Sequence, residues 1–227
     1  MSLYLWINIL TISGPLILSF DKKVHFYKHW KTLLPAILIV AIGFIVWDIY
    51  FTENEIWGFN PEYLSGIYIF NLPLEECLFF FTIPYACVFI YEVIKAYFPH
   101  FRPIKTAYLF ALIFTVLSVT LSVIYKENWY TFYALLSAGI LNWIIYFGWT
   151  PKWYPHFMTS FIITIIPFLI VNGILTGAVT ANPVVWYNEA HIIGLRIFSI
   201  PIEDLFYNFS MLFTTVLIHE NLKKRMK

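Results

Sequence analysis

The chain has 227 residues, of which 60% are hydrophobic and only 12% are charged. Soluble domains carry about 25% charged residues, and the mean hydropathy of +0.74 is that of a protein in lipid. Composition therefore excludes a sizeable soluble domain, and the formal net charge of +1 gives no sign of a nucleic-acid partner.

Seven apolar runs are predicted to be transmembrane helices, because about 20 apolar residues cross the hydrocarbon core of a bilayer. The runs cover residues 4–20, 33–51, 73–98, 106–125, 129–149, 157–176 and 200–220. The first run lacks a basic segment before it and a cleavage site after it, so a helix is predicted rather than a signal peptide. The fold class is thus an all-α polytopic integral membrane protein.

The loops between these runs divide the basic residues unevenly. Of the 14 lysines and arginines, only Lys126 and Arg196 fall on one side of the membrane. By the positive-inside rule, the N-terminus is predicted to lie outside and the C-terminus in the cytoplasm. In a bacterium, the expected location is the plasma membrane.

An internal repeat relates two parts of the chain. The segment Gly66–Phe79 aligns without gaps on Gly194–Tyr207, and Phe44–Asp48 corresponds to Phe168–Asn172. We therefore predict two repeats, residues 1–105 with helices 1 to 3 and residues 129–227 with helices 5 to 7, joined by a connecting helix within residues 106–128. Repeat partners are an even number of spans apart, so both copies run in the same direction through the bilayer.

Each repeat carries a Pro-x-Glu-acid motif, which places two carboxylic acids at the start of an apolar helix. The four acids are Glu75, Glu76, Glu203 and Asp204. These acids could be ordinary first-turn residues that lie at the level of the lipid headgroups. Ionisable groups within apolar stretches are, however, usually functional. A desolvated carboxyl beside another one favours its protonated form and can act as a general acid. We expect Glu75 and Glu203 to be the pair that faces each other across the repeat axis, although the sequence alone leaves open which acid of each motif points inward.

Other candidate site residues surround these motifs. Asp48 has Asn172 as its repeat counterpart; it could support the acids, or it could extend its side chain to the membrane interface. Four aromatic residues follow the acids within about one turn and could present ring faces to a cation: Phe79, Phe80, Phe206 and Tyr207. The scattered histidines and the two cysteines predict no metal site, and the absence of a G-x-G-x-x-G turn predicts no dinucleotide cofactor.

With the segments Asn172–Gly177 and Pro183–Asn188, the two acid motifs resemble those of the lycopene cyclase domain family, over essentially the whole chain. That family includes two-subunit bacterial cyclases, fused single-chain forms and the cyclase part of fungal bifunctional enzymes. The resemblance implies a flavin-independent isomerase (an intramolecular lyase) that converts the linear ψ-ends of lycopene into β-rings, giving γ- and then β-carotene. Its expected partners are lycopene in the bilayer, membrane lipid and other enzymes of carotenoid biosynthesis.

The two repeats differ at one candidate site position, and a second function is compatible with the same acids. Asn172 stands where the first repeat has Asp48, so the two halves need not have equal roles. Intramembrane carboxylates in a repeat fold also serve proton-coupled transporters, and a non-catalytic membrane scaffold is a weaker third possibility.

Overall fold

The structure is a computed structural model in which residues 2–226 are described, and these residues form mainly α-helix. Each of the seven predicted apolar runs coincides with a helix of the described chain. The helices are α1 Leu3–Leu18, α2 Trp30–Glu53, α3 Leu74–Tyr97, α4 Ile104–Ile124, α5 Trp129–Trp143, α6 Tyr154–Leu175 and α7 Glu203–Arg225. A π-helical turn, Ile144–Gly148, extends α5.

Within residues 2–226, six short strands that were not predicted from the sequence accompany the helices. They are β1 Trp57–Phe59, β2 Tyr68–Ile69, β3 Leu72–Pro73, β4 Val185–Tyr187, β5 Arg196–Ile197 and β6 Ile200–Pro201. Strands β2 and β3 form a hairpin before α3, and β5 and β6 form one before α7. Strand β1 pairs with β4, which links the two parts of the chain.

Five helical segments of the described chain are long and apolar enough to cross a membrane, as befits a membrane-embedded protein. They are Phe26–Glu53, Leu74–Tyr97, Ile104–Ile124, Trp129–Gly148 and Tyr154–Leu175. Helix α1 is apolar but has only 16 residues. Helix α7 has 23 residues but carries charges at both ends and polar side chains between them. Seven spans therefore remain a prediction for these two helices.

Helices α3 and α7 form the centre of the bundle and contact each other. Helix α3 also packs against α1, α2 and α6, while α7 packs against α2 and α5. Because α7 is mostly covered by protein, it can be more polar than a helix that faces lipid. The end of the bundle where α3 and α7 begin is called the carboxylate end below, and the opposite end, near Lys95 and Lys223, is called the basic end.

The pairing of β1 with β4 bears on the predicted repeat. Trp57 lies opposite Tyr187, Gly58 opposite Trp186 and Phe59 opposite Val185. When the alignment of Gly66 with Gly194 is extended, β4 is the counterpart of β1, so each strand pairs with its own equivalent. This register supports the repeat, which stays a prediction together with the boundaries at residues 105 and 129.

Candidate functional site

A cavity of about 330 Å³ lies at the carboxylate end, mainly between α1, α3, α6 and α7. Strands β1 and β4 contribute to its wall. Three carboxylic acids line it: Asp48, Glu76 and Asp204, all of them buried. Most of the remaining wall is aliphatic or aromatic. The cavity therefore holds three acids in a largely apolar space.

Glu76 and Asp48 form one part of this acid group. Tyr4 donates a hydrogen bond of 2.5 Å from its hydroxyl to Oε2 of Glu76. Oδ2 of Asp48 is buried and has no hydrogen-bond partner among the described residues. The two carboxyl groups are close enough for their charges to interact. Since two buried carboxylates repel each other, this pair favours a state that retains a proton.

Asp204 has a different environment, because three side chains donate hydrogen bonds to it. The hydroxyl of Tyr130 lies 2.6 Å from Oδ1, and the hydroxyl of Tyr187 and the amide of Asn172 lie 2.9 and 3.2 Å from Oδ2. Burial, together with the neighbouring Asp204 carboxyl, raises the pKa of Tyr187 well above its usual value, so the phenol stays a donor. Three donors stabilise the ionised form of a carboxyl group.

Glu75 and Glu203 are buried but do not line the cavity. Oε1 of Glu75 accepts hydrogen bonds from the hydroxyl of Ser2, at 2.5 Å, and from the backbone N–H of Ser65, at 2.6 Å. Oε1 of Glu203 accepts from the hydroxyl of Thr131, at 2.6 Å, and from the N–H of Ile193, at 2.7 Å. These two acids thus bind the loops that precede their helices.

The expectation that Glu75 and Glu203 face each other is therefore wrong. Adjacent residues of a helix point about 100° apart, so only one acid of each motif can face the cavity. In both helices the second acid of the motif, Glu76 or Asp204, takes that position.

The structure also divides the predicted aromatic residues. Phe79 and Tyr207 line the cavity, as does Asn172. Phe80 and Phe206 are buried elsewhere in the core; the ring of Phe206 stacks on Phe114 with centroids 5.2 Å apart. Two of the four predicted aromatics therefore contact the candidate site, and the other two contribute to packing.

Tyr4, Tyr130 and Tyr187 were not predicted as site residues, because tyrosines near the ends of membrane helices are usually interfacial anchors. Tyr4 and Tyr130 lie in the first turns of α1 and α5, the predicted equivalent helices of the two repeats. Their matching placement was the one available signal in the sequence.

Among the described residues, the cavity lies mainly on the α1 and α6 side of α3 and α7. Residues Phe168 and Val171 of α6 line it, and their aligned counterparts in α2 are Phe44 and Trp47. These α2 side chains instead pack against Tyr207, with ring centroids 4.9 and 5.3 Å apart. On the α2 side, aromatic rings thus occupy the corresponding place.

A second polar cluster lies at the basic end, around the buried Glu92 of α3. Oε1 of Glu92 accepts a hydrogen bond of 2.8 Å from Lys223 and lies 3.3 Å from Nε2 of the buried His219. Lys95 pairs with Glu220, to which Tyr91 also donates a hydrogen bond. Glu92, His219 and Glu220 are close enough to hold a cation, but lysine ammonium groups already bind these carboxylates. We interpret this cluster as an ion-pair network between α3 and α7.

Apolar helices around a buried group of acids define a membrane-embedded protein with a candidate acid–base site. The model of the lycopene cyclase family matches residues 1–94 and 127–222, so the chain belongs to the lycopene cyclase family. This confirms the resemblance inferred from the acid motifs. The unmatched residues between the two segments include α4.

Similar proteins include three fungal enzymes, each named as a bifunctional lycopene cyclase/phytoene synthase. Identity is 34% over 82 residues for Leptosphaeria maculans, covering 36% of this chain and 13% of the relative. For the enzyme of Gibberella fujikuroi, identity is 30% over 72 residues, which cover 32% of this chain and 12% of the relative. For the enzyme of Aspergillus oryzae, identity is 26% over 65 residues, which cover 29% of this chain and 11% of the relative. The matches thus span only about an eighth of each relative, and no solved structure matches the chain.

Proposed function

We propose that this protein is a lycopene β-cyclase that converts the linear ψ-ends of lycopene into β-rings by acid–base chemistry. Membership of the lycopene cyclase family supports the substrate class. The observation that carries the mechanism is the unequal hydrogen bonding of the three cavity acids. Asp204, with three donors, is favoured in its ionised form relative to Glu76, which has one, and Asp48, whose Oδ2 has none among the described residues.

In the proposed reaction, Glu76, sharing its proton with Asp48, protonates C2 of the terminal double bond. A tertiary cation forms at C1, and the C5=C6 double bond attacks it, so that the C1–C6 bond closes the ring and the positive charge moves to C5. Asp204 then takes the proton from C6, and the C5=C6 double bond of the β-ring forms. One proton is gained and one is lost, so the reaction is a redox-neutral isomerisation.

The rest of the cavity wall suits a carbocation. Aromatic faces stabilise positive charge, and an apolar cavity excludes water that would quench the cation. Phe79 and Tyr207 lie on the wall within one turn of the acids in α3 and α7. These two rings are the candidates for contact with the charge at C1 and C5.

After each turnover, the proton on Asp204 must return to Glu76. The buried hydroxyl of Tyr207 has no hydrogen-bond partner among the described residues. It is close enough to interact electrostatically with the three cavity acids, Asp48, Glu76 and Asp204. A hydroxyl can accept one proton while it donates another. We assign Tyr207 the role of relaying the proton between the acids.

The first test is expression in cells that accumulate lycopene, followed by pigment analysis. The proposal expects γ- and β-carotene with the wild-type chain, and unchanged lycopene with Glu76→Gln present at the same level in the membrane. Unchanged lycopene with the wild-type chain would favour the transporter, the rival that uses the same carboxylates.

The second test uses purified protein in lipid and deuterium oxide. The protons on the acids and on Tyr207 should exchange with water between turnovers, so one deuterium should appear at C2 of each ring while the hydrogen count of the carotenoid stays unchanged. Because the reaction transfers no electrons, no flavin or nicotinamide should be required. A strict requirement for reduced flavin, or rings without deuterium, would overturn the mechanism.

A further inference from the structure

The cavity extends well beyond the acids along α3. Side chains from Glu76 to Ile90 line it, with Ile83 and Cys87 between them on the same face of the helix. Fourteen residues of α-helix span about 21 Å. The cavity is therefore elongated, with the acids at one end and an apolar tail that runs toward the middle of the bundle.

This apolar tail lies between α1 and α6. Near the carboxylate end, Tyr4 and Ile7 of α1 belong to the same buried cluster as Leu175 of α6. Both helices pack against α3, but they make few direct contacts with each other. Farther from the acids, Thr11 and Pro15 of α1 stand on one side of the tail.

The other side of the tail is formed by α6, and here the cavity meets the outside of the bundle. Pro167 and Ile170 both line the cavity and are exposed; Ile170 is 61% exposed. Cys87 and Ile90 of α3, which form the floor, are partly exposed as well. The residues that frame this gap are called the α1/α6 opening: Thr11, Pro15, Cys87, Ile90, Pro167 and Ile170.

We infer that the α1/α6 opening is the lateral passage through which one end of a linear polyene passes from the bilayer to the acids. The inference rests on the proposed function for the identity of the polyene. The framing side chains carry no charge, and α6 is long and apolar enough to span a membrane. The gap therefore faces hydrocarbon, where an apolar chain is soluble and an ion is not.

The elongated shape of the passage suits a long acyclic chain. The acids lie at the closed end, beneath β1 and β4, so the terminal double bond of a threaded polyene would stop beside Glu76 and Asp204. The remainder of a 40-carbon molecule would stay between α1 and α6 or in the lipid. Bulk added at the opening should thus hinder access without touching the acids.

A nitroxide label provides a test that does not depend on turnover. In a Glu76→Gln chain with Cys77 and Cys87 replaced by alanine, the label is attached through Ile170→Cys, or through Ile166→Cys as the control. Ile166 lies one turn away on α6, is 66% exposed and does not line the cavity. Lycopene added to the liposomes should reduce the mobility of the label at position 170 and leave position 166 unchanged. An equal response at both positions would overturn the inference.

A kinetic comparison tests the same opening in the active protein. Ile170→Trp should lower kcat/KM about tenfold, mainly through a higher KM expressed as the lycopene fraction of the lipid, because access rather than chemistry is hindered. Ile166→Trp should behave like the wild type. A loss in kcat alone would contradict the passage. Immobilisation at position 170, together with a wild-type chain that forms no rings, would leave the passage standing and remove the proposed function.

Discussion

Glu75 and Glu76 are neighbours in the chain, yet their carboxyl groups have different surroundings. Glu75 accepts hydrogen bonds from Ser2 and from the backbone of Ser65, whereas Glu76 faces the cavity with Tyr4 as its donor. The same division holds for Glu203 and Asp204. Adjacent positions of one helix thus place one acid against a loop and the next acid in the cavity, where it can reach a substrate.

This division predicts different effects for two otherwise identical substitutions. Glu76→Gln removes the transferable proton and should lower the rate of cyclisation by about 10²- to 10⁴-fold, the usual contribution of a general acid. Glu75→Gln weakens hydrogen bonds to Ser2 and Ser65, so it should mainly lower the melting temperature and retain more activity. Carotenoid analysis and thermal unfolding in detergent measure both effects. Equal losses of activity at equal stability would contradict the assignment.

Asp48→Asn makes position 48 identical to its counterpart, Asn172. The change leaves Glu76 and Asp204 in place but removes the second carboxyl from the pair that shares a proton. We expect a milder loss, about tenfold or less, because the proton donor itself remains. Initial rates in liposomes measure this, with Glu76→Gln as the reference. A complete loss would instead make Asp48 the proton donor.

At the scale of elements, the β1–β4 pair depends on a close approach at Gly58. A Cβ atom at this position would lie 2.3 Å from the Trp186 ring, which is rigid. Gly58→Ala should therefore push the strands apart and cost about 1–3 kcal/mol of stability. Gly14→Ala is the control, because nothing lies within 4 Å of its Cβ position. Thermal unfolding separates the two variants, and similar melting temperatures would show that the strands tolerate the contact.

Helices α3 and α7 are joined at the basic end by the network around Glu92. Glu92→Gln would leave the buried His219 and the half-buried Lys223 without their shared carboxylate, and the loss of one partner of a buried ion pair typically costs about 3–5 kcal/mol. Glu127→Gln removes a carboxylate that pairs with Lys126 on the surface, where ion pairs contribute about 1 kcal/mol or less. Chemical unfolding in detergent should show a large effect only for Glu92→Gln. Equal effects would mean that the network is not what joins the helices.

For the whole molecule, hydrophobicity alone was enough to predict where the helices lie. The acid motifs were also visible, because charge within apolar stretches is rare. The sequence did not predict which acid of each motif faces the cavity. The rotation of α3 about its axis depends on contacts with α1 and α6, and these do not follow from any local sequence pattern. Strands of two or three residues, such as β1 and β4, are too short to show a periodicity.

The distribution of basic residues predicts the orientation of the protein in the membrane. Basic residues concentrate at the end of the bundle that contains Lys95 and Lys223, so the positive-inside rule places this end in the cytoplasm. A fluorescent protein that matures only in the cytoplasm should therefore be bright when fused after residue 227. A periplasmic phosphatase should be active when fused before residue 1. The reverse pattern would invert the topology.

The aromatic rings that fill the α2 side of the bundle have a kinetic consequence. If the protein cyclises lycopene as proposed, one acid-lined cavity in the described part of the chain must serve two identical chain ends. A dicyclic product then requires two separate encounters, and the monocyclic intermediate must leave before it returns. Ring formation should then be distributive rather than processive. At high lycopene content, fresh substrate competes with the monocyclic intermediate, so γ-carotene should accumulate early and decline as lycopene is consumed. A time course in which β-carotene appears without free γ-carotene, even with lycopene in excess, would show that both ends are held at once.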